Sequence, residues 1–226
     1  MGLHVPRGVW VGTTVLAYSA GMVNAAGYLG FEHQALSHLT GTTSLGAIAV
    51  GNGRWGLALQ LGAVVASFVA GGYVAGLTLR RRDLSWHYVG LLAGQSLLLM
   101  ASAWALVQGD TGGACMAAAA CGLQNAMTTY YSGSAIRSTH LTGFFTDMGL
   151  LLGQSTRGAP LPWRRLALGT LVLCAFVGGG FSAAWAFPRF GFQLLNAPAL
   201  CAAAMAAALS CHLASKPTTH PSDGTP

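Results

Sequence analysis

Charge is what this chain has least of. Only 7% of its 226 residues are charged, with eleven Lys and Arg against five Asp and Glu, whereas soluble domains give about a quarter of their residues to charge. That excludes an ordinary soluble enzyme or regulatory domain. With 53% hydrophobic residues and a mean hydropathy of +0.54, the solvent this chain is built for is lipid. Thiol chemistry is also sparse. Cys115, Cys121, Cys174, Cys201 and Cys211 form no CxxC pair and all sit in or beside apolar stretches, which reads as small buried thiols rather than disulfides. HExxH is absent, and no His clusters with Cys or carboxylates, so no metal and no cofactor is expected. A net charge of +6 would point to nucleic acid in a soluble protein. Here the basic residues stand between apolar stretches, where the positive-inside rule accounts for them, and no nucleic-acid partner is expected.

What the chain does have is a second copy of itself. Asn24-Ala25, His38-Leu39-Thr40-Gly41, Trp55 and Phe68-Val69-Ala70-Gly71-Gly72-Tyr73 return in the same order as Asn125-Ala126, His140-Leu141-Thr142-Gly143, Trp163 and Phe176-Val177-Gly178-Gly179-Gly180-Phe181. The unit is roughly a hundred residues long. In a hydrophobic chain an internal repeat of this size points first to a transporter or channel.

Six stretches are long enough to span as helices of about 20 residues: 9–30, 55–79, 86–107, 112–131, 163–187 and 192–214. Two shorter ones, 40–51 and 142–154, are each entered through His-Leu-Thr-Gly. At about 1.5 Å per residue neither reaches across a bilayer unless it is thinned. If they do not span and the N-terminus is cytoplasmic, Arg7, Arg80, Arg81, Arg82, Arg137, Arg157, Arg164, Arg165 and Lys216 lie inside and Arg54 and Arg189 outside. If they do span, the bias falls to six against five, so the charge rule favours the first arrangement. The expected fold is therefore an all-α integral membrane protein of two inverted repeats, each of three transmembrane helices and one short re-entrant half-helix. Residues 1–214 form one membrane domain, with repeats at about 9–107 and 112–214, and 215–226 read as a disordered tail rich in Pro, Thr and Ser. The first apolar stretch has a counterpart in the second copy, which argues against a cleaved leader. Thr40 and Thr142 suit helix N-caps followed by permissive Gly41 and Gly143, and would bring two half-helix N-termini towards the midplane.

Gly21-Met22-Val23-Asn24-Ala25 leading to Leu39-Thr40-Gly41, with Gly122-Leu123-Gln124-Asn125-Ala126 leading to Leu141-Thr142-Gly143, resembles the YoaK family of small bacterial multi-pass membrane proteins over about residues 10–213. The resemblance implies a bacterial inner-membrane protein and carries no activity with it. Members of that family often have Asp-Ala where Asn24-Ala25 stands here, and Thr-Gly-Asn where Thr40-Gly41-Thr42 and Thr142-Gly143-Phe144 stand.

Asp147 is the one acidic residue inside an expected membrane segment; Glu32, Asp83, Asp110 and Asp223 fall at ends, in loops or in the tail. A charge at membrane depth costs at least about 2.5–3.5 kcal/mol on insertion scales, so proton coupling is the functional reading and a structural hydrogen-bond partner the plain one. His38 and His140 precede the two Thr-Gly pairs and serve either as proton-linked gates or as ties for the loop backbone. Asn24, Asn125 and Gln124 lie in the helices before the short segments, where amides bond exposed loop backbone or bind a polar solute, together with Thr40, Gly41, Thr42, Thr142 and Gly143. Gly72 and Gly76, with Gly180 and Ala184, form small-xxx-small faces, read as packing the two copies together, with homodimerisation as the alternative. Trp55 and Trp163 read as interfacial anchors.

The sequence thus points to a secondary transporter of a small polar or anionic solute, possessing a midplane site and proton coupling through Asp147. The alternatives are a passive aquaporin-like channel or a structural or assembly role without transport. Asn-Pro-Ala pairs are absent, which separates the chain from aquaporins. An enzyme is not expected: no GxSG surrounds Ser134 or Ser182 to make a rhomboid-like pair with His212.

Overall fold

A computed structural model describes residues 7–30, 36–80, 83–132 and 141–215. These residues form α1 (Arg7–Gly30), α2 (Leu39–Gly51), α3 (Trp55–Thr78), α4 (Trp86–Val107), α5 (Gly112–Ser132), α6 (Leu141–Thr156), α7 (Trp163–Phe190) and α8 (Asn196–Ala214), with a 3-10 turn, Gly191–Leu195, between the last two. All the regular structure among the described residues is helical. Helix α3, helix α4 and the run Trp163–Ala214, which holds α7 and α8, are long and apolar enough to cross a membrane. Helices α1 and α5, at 24 and 21 residues, are long enough but less apolar. They carry Thr13, Ser19, Gln124 and Thr128 on buried faces, so their polar residues point into the protein.

Helix ends follow local chemistry. Gly109 takes φ 79° and Asp110 Oδ1 accepts from the Gly112 N–H at 2.8 Å, which closes the short α4–α5 hairpin. The sequence suggested that the seventh helix stops at Phe187, before Pro188, but α7 runs through Pro188 to Phe190. A proline in the last turn forfeits one backbone bond, and the actual stop is Gly191 at φ 52°, a conformation few other residues adopt.

Two helix crossings dominate the packing, and they correspond. On α1, a Cβ at Gly21 would run into the main chain of Phe176 in α7, while one at Gly179 would meet the Tyr18 carbonyl. On α5, a Cβ at Gly122 would run into the main chain of Phe68 in α3, and one at Gly71 would meet the Ala119 carbonyl. Gly21 matches Gly122 in the repeat, Phe68 matches Phe176 and Gly71 matches Gly179. Each copy's first helix therefore packs on the other copy's long helix, backbone against backbone. The expected small-residue faces are off by one position. Gly76 has open space and Gly72 comes only within ordinary contact of Gly122, because Gly71, about 100° away around the helix, is the residue that faces α5.

The core is layered. A lower cluster holds Leu16, Ala75, Leu92, Met127 and Ala206, and an upper one holds Val23, Val64, Leu99, Cys121, Ala183 and Ala199. A third patch sets Leu168 and Val172 of α7 against Ala17 of α1. Helices α1, α4 and α7 thus run from the lower towards the upper layer, and α3, α5 and α8 run the other way. The outer faces expose Leu59, Tyr73, Trp104, Phe181 and Trp185, an apolar girdle of the kind a bilayer covers. Of the five free cysteines only Cys121 is fully buried, while Cys174 and Cys211 lie on outer faces, so the expectation of buried thiols holds for one of them. An apolar outer face accepts a thiol as readily as a core does.

Candidate functional site

Helix α1 ends at Gly30, and residues 36–38 lie alongside it. The Ser37 hydroxyl donates to Asn24 Oδ1 at 3.0 Å, six residues or about 9 Å before the end of α1. Leu36 is fully buried in the upper cluster, and the His38 ring meets Phe176 edge-on, 5.7 Å between centroids. Phe176 is also the residue whose main chain lies against Gly21. Helix α2 therefore begins level with the last third of α1 and returns over 13 residues to the turn before α3. Its N-cap is His38, without a side-chain cap bond, so the expected cap, Thr40, lies inside the first turn. There Thr40 is exposed and its carbonyl accepts from the Ser44 hydroxyl, while Thr42 is completely buried. Gly41 sits next to the Tyr28 hydroxyl.

Helix α6 lies along α7 more loosely, with none of its residues fully buried. Its first residue, Leu141, lies near Leu173 and Phe176, Phe144 covers Gly169, and Asp147 pairs with Arg165 at 2.7 Å. The helix therefore starts beside the middle of α7 and descends towards the start of α7. Thr142 is exposed and Gly143 half-buried, and the Thr142 carbonyl accepts from Thr146, as Thr40 does from Ser44. His140 lies outside the described residues. Asp147 was singled out for its isolation; the structure gives it a cation, and both side chains of the pair are about half exposed.

Between α1, α6 and α7 lies an open cleft of about 380 Å³. Leu141, Phe145, Leu173, Phe176 and Val177 supply carbon walls; Asn24 and Tyr28 also border it, but the surface that faces the cleft is almost wholly carbon. The fold thus brings Asn24, His38, Gly41 and the start of α6 around one place. It does not bring Gln124 or Asn125 there. Gln124 is buried against α1 and α4, and the Asn125 carbonyl accepts from Thr128 within α5. The bond that Gln124 makes to Gln95 was not anticipated. Gln95 has no matching amide in α8, its counterpart helix in the second copy, and its only signal was a lone amide in an apolar helix. Among the described residues no group of three or more His, Cys, Asp and Glu is placed to hold a metal ion.

Stretches able to cross a bilayer, a lipid-facing apolar girdle and polar groups turned inward define a helical membrane protein. The chain belongs to the family described as "Protein of unknown function (DUF1275)", whose profile matches residues 12–209. No curated protein and no solved structure matches it.

Proposed function

We propose that the protein is a proton-coupled secondary transporter of a small polar or anionic solute in the bacterial inner membrane. In this reading it is built from two inverted copies whose half-helices α2 and α6 re-enter from opposite faces. The observation that carries the reading is the convergence of both half-helix starts on Phe176: His38 rests on its ring, and Leu141 lines the cleft that it walls. Helix sense supports the inversion, since α1, α3 and α4 run up, down, up while α5, α7 and α8 run down, up, down. With the lower face cytoplasmic, Arg80, Arg157, Arg164 and Arg165 fall inside, in keeping with the positive-inside rule and with the YoaK-type likeness.

Half-helix starts offer unpaired N–H groups and a positive dipole end at a depth where such backbone survives only when buried or lining a cavity. The exposed wall of the cleft is almost wholly carbon and Asn24 Oδ1 is held by Ser37, so a solute would lie with its carbon body against Phe176 and Val177 and turn its polar end to the half-helix starts. The two copies are in unlike arrangements, which favours alternating access. Helix α2 buries Thr42 and Ala49 against its surroundings, whereas α6 buries no residue fully and is pinned to α7 by Phe144 and the Asp147–Arg165 pair. Protonating Asp147 would dissolve that pair and free α6, linking proton uptake to movement of one half-helix.

The test is a thermal-stability screen of the purified protein against small organic acids, amides and amines. A solute at a hundred times its dissociation constant stabilises by about 2.7 kcal/mol, or roughly 5–11 °C for a chain of this size. Asn24→Ala should shrink that shift. Uptake of the hit into proteoliposomes should follow an imposed pH gradient. A structural or passive role predicts no stabilising solute or no gradient-driven accumulation.

A further inference from the structure

Gln124 belongs to a polar layer at the centre of the bundle, away from the cleft. On α1, Leu16 lies in the lower cluster and Val23 in the upper; on α4 the same holds for Leu92 and Leu99, and on α5 for Met127 and Cys121. Ser19, Gln95 and Gln124 fall between these pairs, each no more than 2% exposed. On α8 the corresponding level is occupied by Ala202, also buried, whose methyl takes little room.

The hydrogen bonds fix which amide atom is which. The Leu16 carbonyl can only accept, so Gln124 Nε2 donates to it at 2.9 Å. Gln124 Oε1 then accepts from Gln95 Nε2 at 2.6 Å, which fixes Gln95 Oε1 as the amide oxygen, an acceptor. That oxygen has no donor among the described residues, and neither the Ser19 hydroxyl nor the Tyr88 hydroxyl has a partner there. Elsewhere in the chain Thr14, Ser182 and Ser210 turn back to the carbonyl four residues earlier; Ser19 does not. Leaving a buried polar group unpaired costs about 1–3 kcal/mol, and two such groups at one level of the bundle call for a guest. Val23 stands where the repeat places the counterpart of Gln124, so only one copy carries the amide pair.

We propose that this layer is a binding site for a small uncharged hydrogen-bond donor, whose O–H or N–H donates to Gln95 Oε1 and which also bonds Ser19 Oγ. Two side-chain oxygens without a carboxylate are too few to replace the hydration of a metal cation, for which six or more oxygens are usual, and no basic side chain stands ready for an anion. A neutral donor needs only what is there. Tyr88 lies two turns of α4 below Gln95, about 10 Å towards the lower face, and its buried hydroxyl also has no partner among the described residues. The donor is either a resident water or the hydroxyl or amide of a carried solute; the second source rests on the transporter reading and the first does not.

Ser19→Ala in the full-length protein, reconstituted in lipid nanodiscs, decides the matter. If the layer is empty, removing an unpaired hydroxyl leaves the unfolding midpoint unchanged or raises it. If a donor is bound, the midpoint falls by about 2–4 °C, and Ser19→Ala combined with Gln95→Met costs less than the sum of the two, because both act through one guest. Stopped-flow light scattering on proteoliposomes under glycerol and acetamide gradients separates the sources. Protein-dependent permeation that Gln95→Met lowers tenfold or more assigns the donor to the solute. Permeation no different from protein-free vesicles, with Ser19→Ala still destabilising, assigns it to water. A Ser19→Ala protein at least as stable as the wild type overturns the site, whatever the transport screen finds.

Discussion

Replacing Gly122 by alanine should force the α3–α5 crossing apart. The new Cβ would collide with the carbonyl oxygen, carbonyl carbon and Cα of Phe68, all main-chain atoms, so no rotamer change relieves the clash and a helix must move. Overpacking a tight core costs about 1–3 kcal/mol. At roughly 2–4 °C per kcal/mol for a chain of this length, the unfolding midpoint should fall by about 2–12 °C. Gly76 on α3 is the control, because nothing lies within 4 Å of a Cβ added there. Alanine at that position gains about 0.8–1.0 kcal/mol of helix propensity and should raise the midpoint by about 2–4 °C. Tryptophan fluorescence during thermal unfolding in detergent reads both shifts, with size exclusion confirming that each variant is folded. Gly21→Ala should behave like Gly122→Ala, since Gly21 meets the Phe176 main chain as Gly122 meets that of Phe68. Equal shifts for Gly122→Ala and Gly76→Ala would refute the crossing argument. Sensitivity at only one of Gly21 and Gly122 would refute the equivalence of the two crossings.

In a Cys-free background, single cysteines at Asp83 and Arg157 should be labelled from the cytoplasm and those at Asp110 and Arg189 from the periplasm; labelling of Asp83 and Arg157 from opposite sides would remove the inverted arrangement. Asp147→Asn should abolish solute accumulation driven by a pH gradient while leaving exchange partly intact, and unchanged pH dependence in the folded variant would leave Asp147 a purely structural tie. Arg165→Gln breaks the same ion pair without removing the carboxylate, so it should loosen α6 and raise leak without abolishing gradient-driven accumulation. Phe176→Ala should weaken solute-induced stabilisation together with Asn24→Ala, because both side chains line one cleft.

The helices themselves were legible. Each expected stretch lies within four residues of an observed helix at either end, because long apolar runs, the Asn52-Gly53 turn and Gly109 state their limits locally. The repeat was legible too, but correspondence is not contact. Gly21 and Gly122 correspond, yet each packs on the opposite copy, against Phe176 and Phe68; the glycine-rich faces of α3 and α7 point to packing between the copies, but not to which first helix each would meet. The Gly72–Gly76 face failed for a related reason: a GxxxG marks a helix able to pack closely, while the choice between Gly71 and Gly72 depends on a rotation that only the partner sets. Thr40 was read as a cap from residue type, and the segment anchored by Ser37 to Asn24 started the helix earlier.

The least legible feature is the difference between two copies that read alike. Helices α2 and α6 begin with the same Leu-Thr-Gly and make the same first-turn bond from a hydroxyl to the Thr carbonyl. One is nevertheless seated with Thr42 buried and the other rests outside the core. Phe144 stands where the first copy has Thr42 and Asp147 where it has Leu45. A phenyl ring covering Gly169 and a carboxylate reaching Arg165 hold α6 along the rim of α7, where a small buried threonine lets α2 sink in. Exchanging these residues between the copies is therefore the most direct probe of the asymmetry. Phe144→Thr combined with Asp147→Leu should draw α6 inward and narrow the cleft beside Asn24, read as lost labelling of a cysteine placed at Phe145. Labelling as fast as in the parent would show that the asymmetry is set elsewhere in the bundle.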